Sequence, residues 1–177
     1  ERIRRPAHRT ILTGMGSSLY ALHPLHLRLL SAGVASFHVE TSELLHSQTA
    51  LLASADVVVA VSQSGSSAEI FRLLGVLPAK ARLVGITNTD ESPLARTAKD
   101  VILTHAGPEA TVACKTYTAT LAALAWFGAG LERGEAGTGT ALAALSTAAE
   151  AMDQYLGELR RWVRAVATET RDVRNLF

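Results

Sequence analysis

Five short aliphatic runs mark the chain: Thr10 to Thr13, Ala35 to Glu40, Asp56 to Val61, Arg82 to Thr87 and Asp100 to Thr104. The third reads Val-Val-Val-Ala-Val after its aspartate, with no alternation of apolar and polar positions. Such continuity predicts strands buried on both faces, as in a parallel sheet covered by helices. Between the runs, amphipathic segments predict helices at Ser17 to Ala32, Ser42 to Leu52, Ser67 to Leu77, Ser92 to Thr97 and Thr116 to Leu131. The alternation gives an α/β fold, a three-layer αβα sandwich on a five-stranded parallel sheet. After Gly128-Ala129-Gly130 the pattern changes. Gly134 to Gly139 holds three glycines and reads as a loop, and Thr140 to Phe177 is helical in composition, with the mixed-charge run Glu158 to Arg164. The predicted division is a domain over residues 1–133 and a helical extension or connector over 134–177.

Composition narrows the class. Hydrophobic residues make up 48% of 177, enough aliphatic surface for one full core. With 17 basic against 16 acidic side chains and no polybasic tract, neither a nucleic-acid partner nor a membrane surface is expected, although Arg2, Arg4, Arg5 and Arg9 cluster near the start. A lone Cys114 forms no internal disulfide, and no signal sequence or long apolar span is visible, so a reducing cytoplasm is the expected compartment. The chain starts at Glu1 and reads as a piece of a longer protein.

Chemistry concentrates where strands end. Ser62-Gln63-Ser64-Gly65-Ser66-Ser67 follows the third run and opens a helix. Backbone N–H groups, short hydroxyls and the positive end of a helix dipole converge in such a turn and hold an anion without lysine or arginine. Two other strand ends carry comparable turns: Thr13-Gly14-Met15-Gly16-Ser17-Ser18, and His105-Ala106-Gly107-Pro108-Glu109 leading into Thr111-Val112-Ala113-Cys114-Lys115-Thr116. Gly14 and Gly16 could begin a dinucleotide fingerprint, but its third glycine would fall at residue 19, which is Leu. Gly-Lys-Ser/Thr occurs nowhere, which excludes a Walker-type phosphate loop.

These three motifs, in this order and spacing, resemble the sugar isomerase (SIS) domain, above all its glucosamine-6-phosphate synthase and aminosugar-phosphate isomerase/deaminase branch. The resemblance covers about residues 10–131. Glu69 after the serine turn and the run Val112-Ala113-Cys114-Lys115-Thr116-Tyr117 lean towards deaminase-like members. It implies that Ser62, Gln63, Ser64 and Ser67 hold the phosphate of a hexose or hexosamine phosphate with help from Ser17, while Gly16, Ser18, Val112 and Ala113 lie along the sugar. Ser17 and Ser67 stand where the family more often has threonine. Met15 replaces the cysteine of the synthases, and the segment around Cys114 and Lys115 is one residue shorter than theirs.

Moving a proton between C1 and C2 of an opened sugar needs a base, usually carboxylate or histidine. In two-domain relatives the glutamate comes from a second SIS domain and a histidine from a neighbouring subunit. The resemblance thus implies a phosphate-binding half that is inactive alone, completed in the parent by a second SIS domain and a homodimer, with no cofactor or metal. The same fold also serves in regulators, so a sugar-phosphate sensor is the alternative. A sensor would carry a helix-turn-helix before residue 1, an enzyme a second SIS domain after residue 177. The charged tail resembles an inter-domain connector, which favours the enzyme.

Plainer readings stand beside these. The serines at 62–67 could simply cap the following helix. His23 and His26 have metal-ligand spacing but no third ligand near in sequence. Glu43 and His46 read as a solvated or interface pair, His105 and Glu109 as turn residues, Cys114 as a small pocket-lining thiol, and Trp126 and Phe127 as core or interface side chains.

Overall fold

A computed structural model describes residues 9–109 and 114–174. Its strands are β1 (Thr10–Gly14), β2 (Ser36–Glu40), β3 (Val57–Val61), β4 (Arg82–Thr87) and β5 (Asp100–Leu103). Its helices are α1 (Ser17–Ser31), α2 (Thr41–His46), α3 (Thr49–Ala53), α4 (Ala68–Val76), α5 (Pro93–Thr97) and α6 (Lys115–Glu169). All pairings are parallel, in the order β2-β1-β3-β4-β5. Two compact units divide the chain, the first ending at Thr138 and the second beginning at Gly139.

The unbroken apolar runs have a physical outcome in the first unit. Successive side chains of a strand point to opposite faces, and both faces of β1, β3 and β4 are covered, while the edge strands β2 and β5, expected to be buried likewise, leave Phe37 and Val101 exposed. Leu12, Val57, Val59, Val61, Val84 and Ile86 join Leu22, Leu25 and Leu29 of α1 and Leu124 of α6 in one core. Ile11, Val58, Ala60 and Leu83 join Leu44, Leu52, Ile70, Leu73 and Leu94 of the intervening helices in the other. Across the first layer, Arg28 of α1 forms a bidentate pair with Glu132 of α6, both bonds at 2.8 Å.

Two expectations need correction. The helix expected over Ser42 to Leu52 is two helices, because the chain turns at Ser47 and Gln48, whose N–H groups both return to the Glu43 carbonyl. The loop expected over Gly134 to Gly139 shrinks to Gly134 alone, the one residue inside α6 with non-helical angles (φ 61°, ψ −142°). Helix resumes at once on its far side, and the two arms touch so closely that a Cβ on Gly137 would stand 2.1 Å from the Ala129 carbonyl oxygen. Gly134 marks a turn and Gly137 close packing. The second unit, from Gly139, is helical through Glu169.

Candidate functional site

In an open parallel sheet a crevice forms at the carboxyl edge where successive connections leave to opposite sides. Here that switch lies between β1 and β3, since β2 is β1's other neighbour and β4 is β3's. Gly14 is in register with Val61, so the turn after β1 and the turn after β3 leave the sheet side by side. The structure thereby brings Gly16, Ser17 and Ser18 to the same edge as Ser62 to Ser67.

The β3–α4 turn is tied down at each step. The Ser62 N–H donates to the Ile86 carbonyl (3.0 Å), and the buried Ser62 Oγ accepts from the Gly65 N–H (3.1 Å). Gln63 turns its side chain outward while its carbonyl accepts from the Asn88 N–H (3.0 Å) and Thr87 Oγ1 (3.2 Å). Ser64 Oγ accepts from the Ser66 N–H at 3.3 Å. Ser67 is the N-cap of α4, its Oγ accepting from the Ile70 N–H at 3.3 Å. The plain capping reading therefore holds for Ser67. It does not exhaust the turn, because a hydroxyl that accepts one bond still carries its own proton. Ser62, Ser64 and Ser67 keep O–H groups to donate at the start of a nine-residue helix.

Gly65 locks this geometry. It lies at φ +60°, and a Cβ there would stand 2.2 Å from Ser92 Oγ and 2.9 Å from Thr87 Oγ1. Its carbonyl accepts from the Leu94 N–H (3.1 Å), clipping the turn to α5. At β1, α1 starts from Gly16 (φ 52°, ψ −123°) with no side chain capping it, leaving Ser17 exposed and Ser18 partly buried at an open helix start.

The third turn is held by a residue that sequence reasoning passed over. Asn88 Oδ1 accepts from Thr104 Oγ1 (3.0 Å) and the Ala106 N–H (2.8 Å), and its Nδ2 donates to the Gly107 carbonyl (2.8 Å). Thr87 and Asn88 bind the second turn to the third, and Ser92 fills the space beside Gly65. Their signal was a polar run after a strand, Thr87-Asn88-Thr89-Asp90-Glu91-Ser92, of the same kind as the others.

Glu109 behaves as a turn residue: its Oε2 accepts from the Thr116 N–H (2.8 Å) and Oγ1 (2.9 Å) at the start of α6. The Thr116 N–H, with the Thr116 hydroxyl and nearby Lys115, holds that carboxyl below the usual glutamate range. The Lys115 ammonium donates to the Pro108 carbonyl, and Cys114 is an exposed free thiol. Val112 and Ala113 lie outside the described residues.

The structure gives the two helix histidines an unforeseen neighbour. His38 of β2 lies 5.6 Å, ring centre to ring centre, from both His23 and His26. The His38 Nε2–H donates to the Leu19 carbonyl (2.7 Å), and His26 Nδ1 is 3.0 Å from Ser36 Oγ. Burial, with His38 and His23 beside it, pushes the His26 imidazole below its ordinary pKa. Among the described residues no group of three histidine, cysteine or acidic side chains stands so as to hold a metal ion. His46 lines a separate cavity of about 720 Å³ with Leu45, Leu52, Arg72 and Val76.

Among the described residues no helix is long and apolar enough to cross a membrane.

Comparison with known proteins agrees with this geometry. The chain is 36% identical over 103 residues to arabinose 5-phosphate isomerase KdsD of Pseudomonas aeruginosa, covering 58% of this chain and 32% of that one. It is 36% identical over 119 residues to the isomerizing glutamine–fructose-6-phosphate aminotransferase of Pyrococcus horikoshii, covering 66% of this chain and 20% of that one. The chain thus spans a third or less of these relatives' length. Among solved structures, the C-terminal domain of glucosamine-fructose-6-phosphate aminotransferase from Francisella tularensis superposes with a TM-score of 0.62 at 24% identity, covering 72% of this chain and 37% of that one. Glucosamine-6-phosphate deaminase from Thermotoga maritima does so at 0.61 and 19%, covering 71% and 40%. These two share the fold. The SIS domain model matches residues 5–128, and with a flavodoxin-like sheet whose switch-point turns carry its motifs, this chain belongs to the SIS domain family.

Proposed function

We propose that this domain grips the phosphate of a hexose or hexosamine phosphate at the β3–α4 turn, with Ser62, Gln63, Ser64 and Ser67 as the cradle and Ser17 at its side. Gly16, Ser18, Val112 and Ala113 run along the sugar. One observation carries the reading: three serine oxygens of this turn are already occupied by backbone N–H donors, so their protons are free for an anion at a helix start beside the switch point. The turn is rigid before any ligand arrives, and its donors cost little further ordering on binding.

In this proposal the parent protein is an aminosugar-phosphate isomerase or deaminase of the cytoplasm that works as a homodimer. A second SIS domain supplies the acid and base, and this chain supplies the phosphate grip.

Thermal denaturation of the 177-residue chain tests the cradle directly. Glucosamine 6-phosphate or fructose 6-phosphate raises Tm, and unphosphorylated glucosamine leaves it nearly unchanged. Equal shifts from the phosphorylated and unphosphorylated sugars refute the phosphate grip. Isomerase or deaminase turnover by this chain alone refutes the division of labour.

A further inference from the structure

From Leu142 onward, apolar side chains recur at alternating steps of three and four: Leu142, Leu145, Ala149, Met152, Leu156, Leu159, Val163 and Val166. This is the 3.5-residue repeat of a coiled-coil seam, with 142, 149, 156 and 163 at a and 145, 152, 159 and 166 at d. The segment is helical throughout. Much of its seam lies open, with Leu142 60%, Met152 53%, Leu156 49% and Val163 49% exposed, while Leu145, Leu159 and Val166 are half-buried.

Three details bear on what could cover it. A hollow of about 320 Å³ on this helix is lined by Leu156, Leu159, Arg160, Val163 and Arg164. The first four stand at i, i+3, i+4 and i+7, the diamond that receives one knob from a facing helix. At the e positions Asp153 and Arg160 carry opposite charges one heptad apart. Neither has an opposite charge three or four residues away on its own helix: Asp153 neighbours Ala149, Glu150, Leu156 and Gly157, and Arg160 neighbours Leu156, Gly157, Val163 and Arg164. The exposed aromatics Tyr155 and Trp162 occupy g, again one heptad apart.

We propose that residues 142–166 form an antiparallel two-stranded coiled coil with a second copy of this chain. In a parallel pair e meets g, which sets Asp153 against alanine and Arg160 against tyrosine and leaves both charges unanswered. Antiparallel pairing brings e to e and g to g. Leu156 then stacks on Leu159 of the partner subunit and Met152 on Val163 of the partner subunit. Asp153 meets Arg160 of the partner subunit along one flank, and Tyr155 meets Trp162 of the partner subunit along the other. The inference rests on the homodimer proposed above and gives it a surface, independently of the phosphate cradle.

Sedimentation equilibrium of the full chain under reducing conditions tests it. The chain is a dimer, and Leu156→Asp, which sets unpaired charge into the central layer, weakens association about 100-fold or more. Asp153→Arg and Arg160→Asp each weaken it about 3- to 10-fold, and the double variant returns to near the starting affinity. A chain that stays monomeric at about 100 µM overturns the proposal. So does a dimer indifferent to Leu156→Asp, and a double variant no better than the singles refutes the antiparallel alignment. The Tm response to glucosamine 6-phosphate, measured on Leu156→Asp, separates the two proposals: it persists whether or not the dimer does, and its absence in both proteins counts against the cradle alone.

Discussion

Replacing Gly65 by alanine presses on the point where the serine turn is locked. The added methyl would lie 2.2 Å from Ser92 Oγ, 2.6 Å from Ser92 Cβ and 2.9 Å from Thr87 Oγ1. Ser92 cannot swing aside, being 3% exposed and accepting from the Ala95 N–H (3.2 Å) as the cap of α5. The left-handed backbone at φ +60° adds about 1–2 kcal/mol for any residue with a Cβ. Overpacking a filled site costs about 1–3 kcal/mol. Together the loss is about 2–5 kcal/mol, which for a chain of this size lowers Tm by about 4–20 °C. Urea and thermal unfolding followed by circular dichroism measure the loss, and the Tm shift with glucosamine 6-phosphate measures what remains of the cradle. Gly65→Ala combined with Ser92→Gly relieves the clash with Ser92 while keeping the Thr87 contact and the backbone part, so the two changes couple favourably in a double-mutant cycle. Unfolding within about 0.5 kcal/mol of the parent, or an undiminished ligand shift, refutes the claim that this turn is built around a missing side chain.

Other perturbations separate holding the turn from holding the ligand. Ser64→Ala removes a donor with little structural duty and weakens phosphosugar binding by about 1–3 kcal/mol in calorimetry, whereas Ser67→Ala weakens binding and also takes about 1 kcal/mol from stability because it uncaps α4. Asn88→Ala frees the Thr104 hydroxyl, the Ala106 N–H and the Gly107 carbonyl at once, and hydrogen exchange at Ala106 rises well above that of the sheet. His26 titrates below its unfolded value, so the unfolded chain binds the proton more tightly; stability falls as pH drops below about 6.5 and levels once the folded ring is also charged. His26→Gln flattens that limb in equilibrium unfolding. Glu109 and Asp100 are both depressed, Asp100 chiefly by its hydrogen bonds to Arg82, and their stabilisation disappears only as pH falls through the lower, folded carboxylate values, well apart from the histidine limb.

The strands were legible because burial on two faces leaves an unbroken mark: Val57 to Val61 could hardly be anything else. Strand order was not legible, since no single run states its neighbour; the pairing of β1 with β3 in the order β2-β1-β3-β4-β5 is what sets Gly16 beside Ser62. What stayed hidden was carried by contacts distant in sequence. Asn88 reaches 16 to 19 residues ahead to hold the third turn, and His38 joins His23 and His26 across the α1–β2 connection. Gly137 misled for the opposite reason. Its composition is that of a loop, but its cause is an arm of helix pressed against Ala129, a tertiary demand that overrides propensity. The break between α2 and α3 was invisible because both pieces share one amphipathic stripe.

The bond between Arg28 and Glu132 also shows how late the first layer is completed. It joins residues 104 positions apart, and closing so long a loop is entropically costly until the sheet has already brought its ends near. During synthesis, β1 to β5 and their crossovers leave the ribosome before α6 exists, so the core that Leu12, Val59 and Ile86 share with α1 still lacks Leu124 of α6. The nascent sheet therefore passes through an interval with part of one face bare, a species prone to aggregation until α6 arrives. What ends this interval is the apolar face of α6, Leu124 with Tyr117, Leu121 and Phe127, and the exposed arginine–glutamate pair forms only once that face has docked.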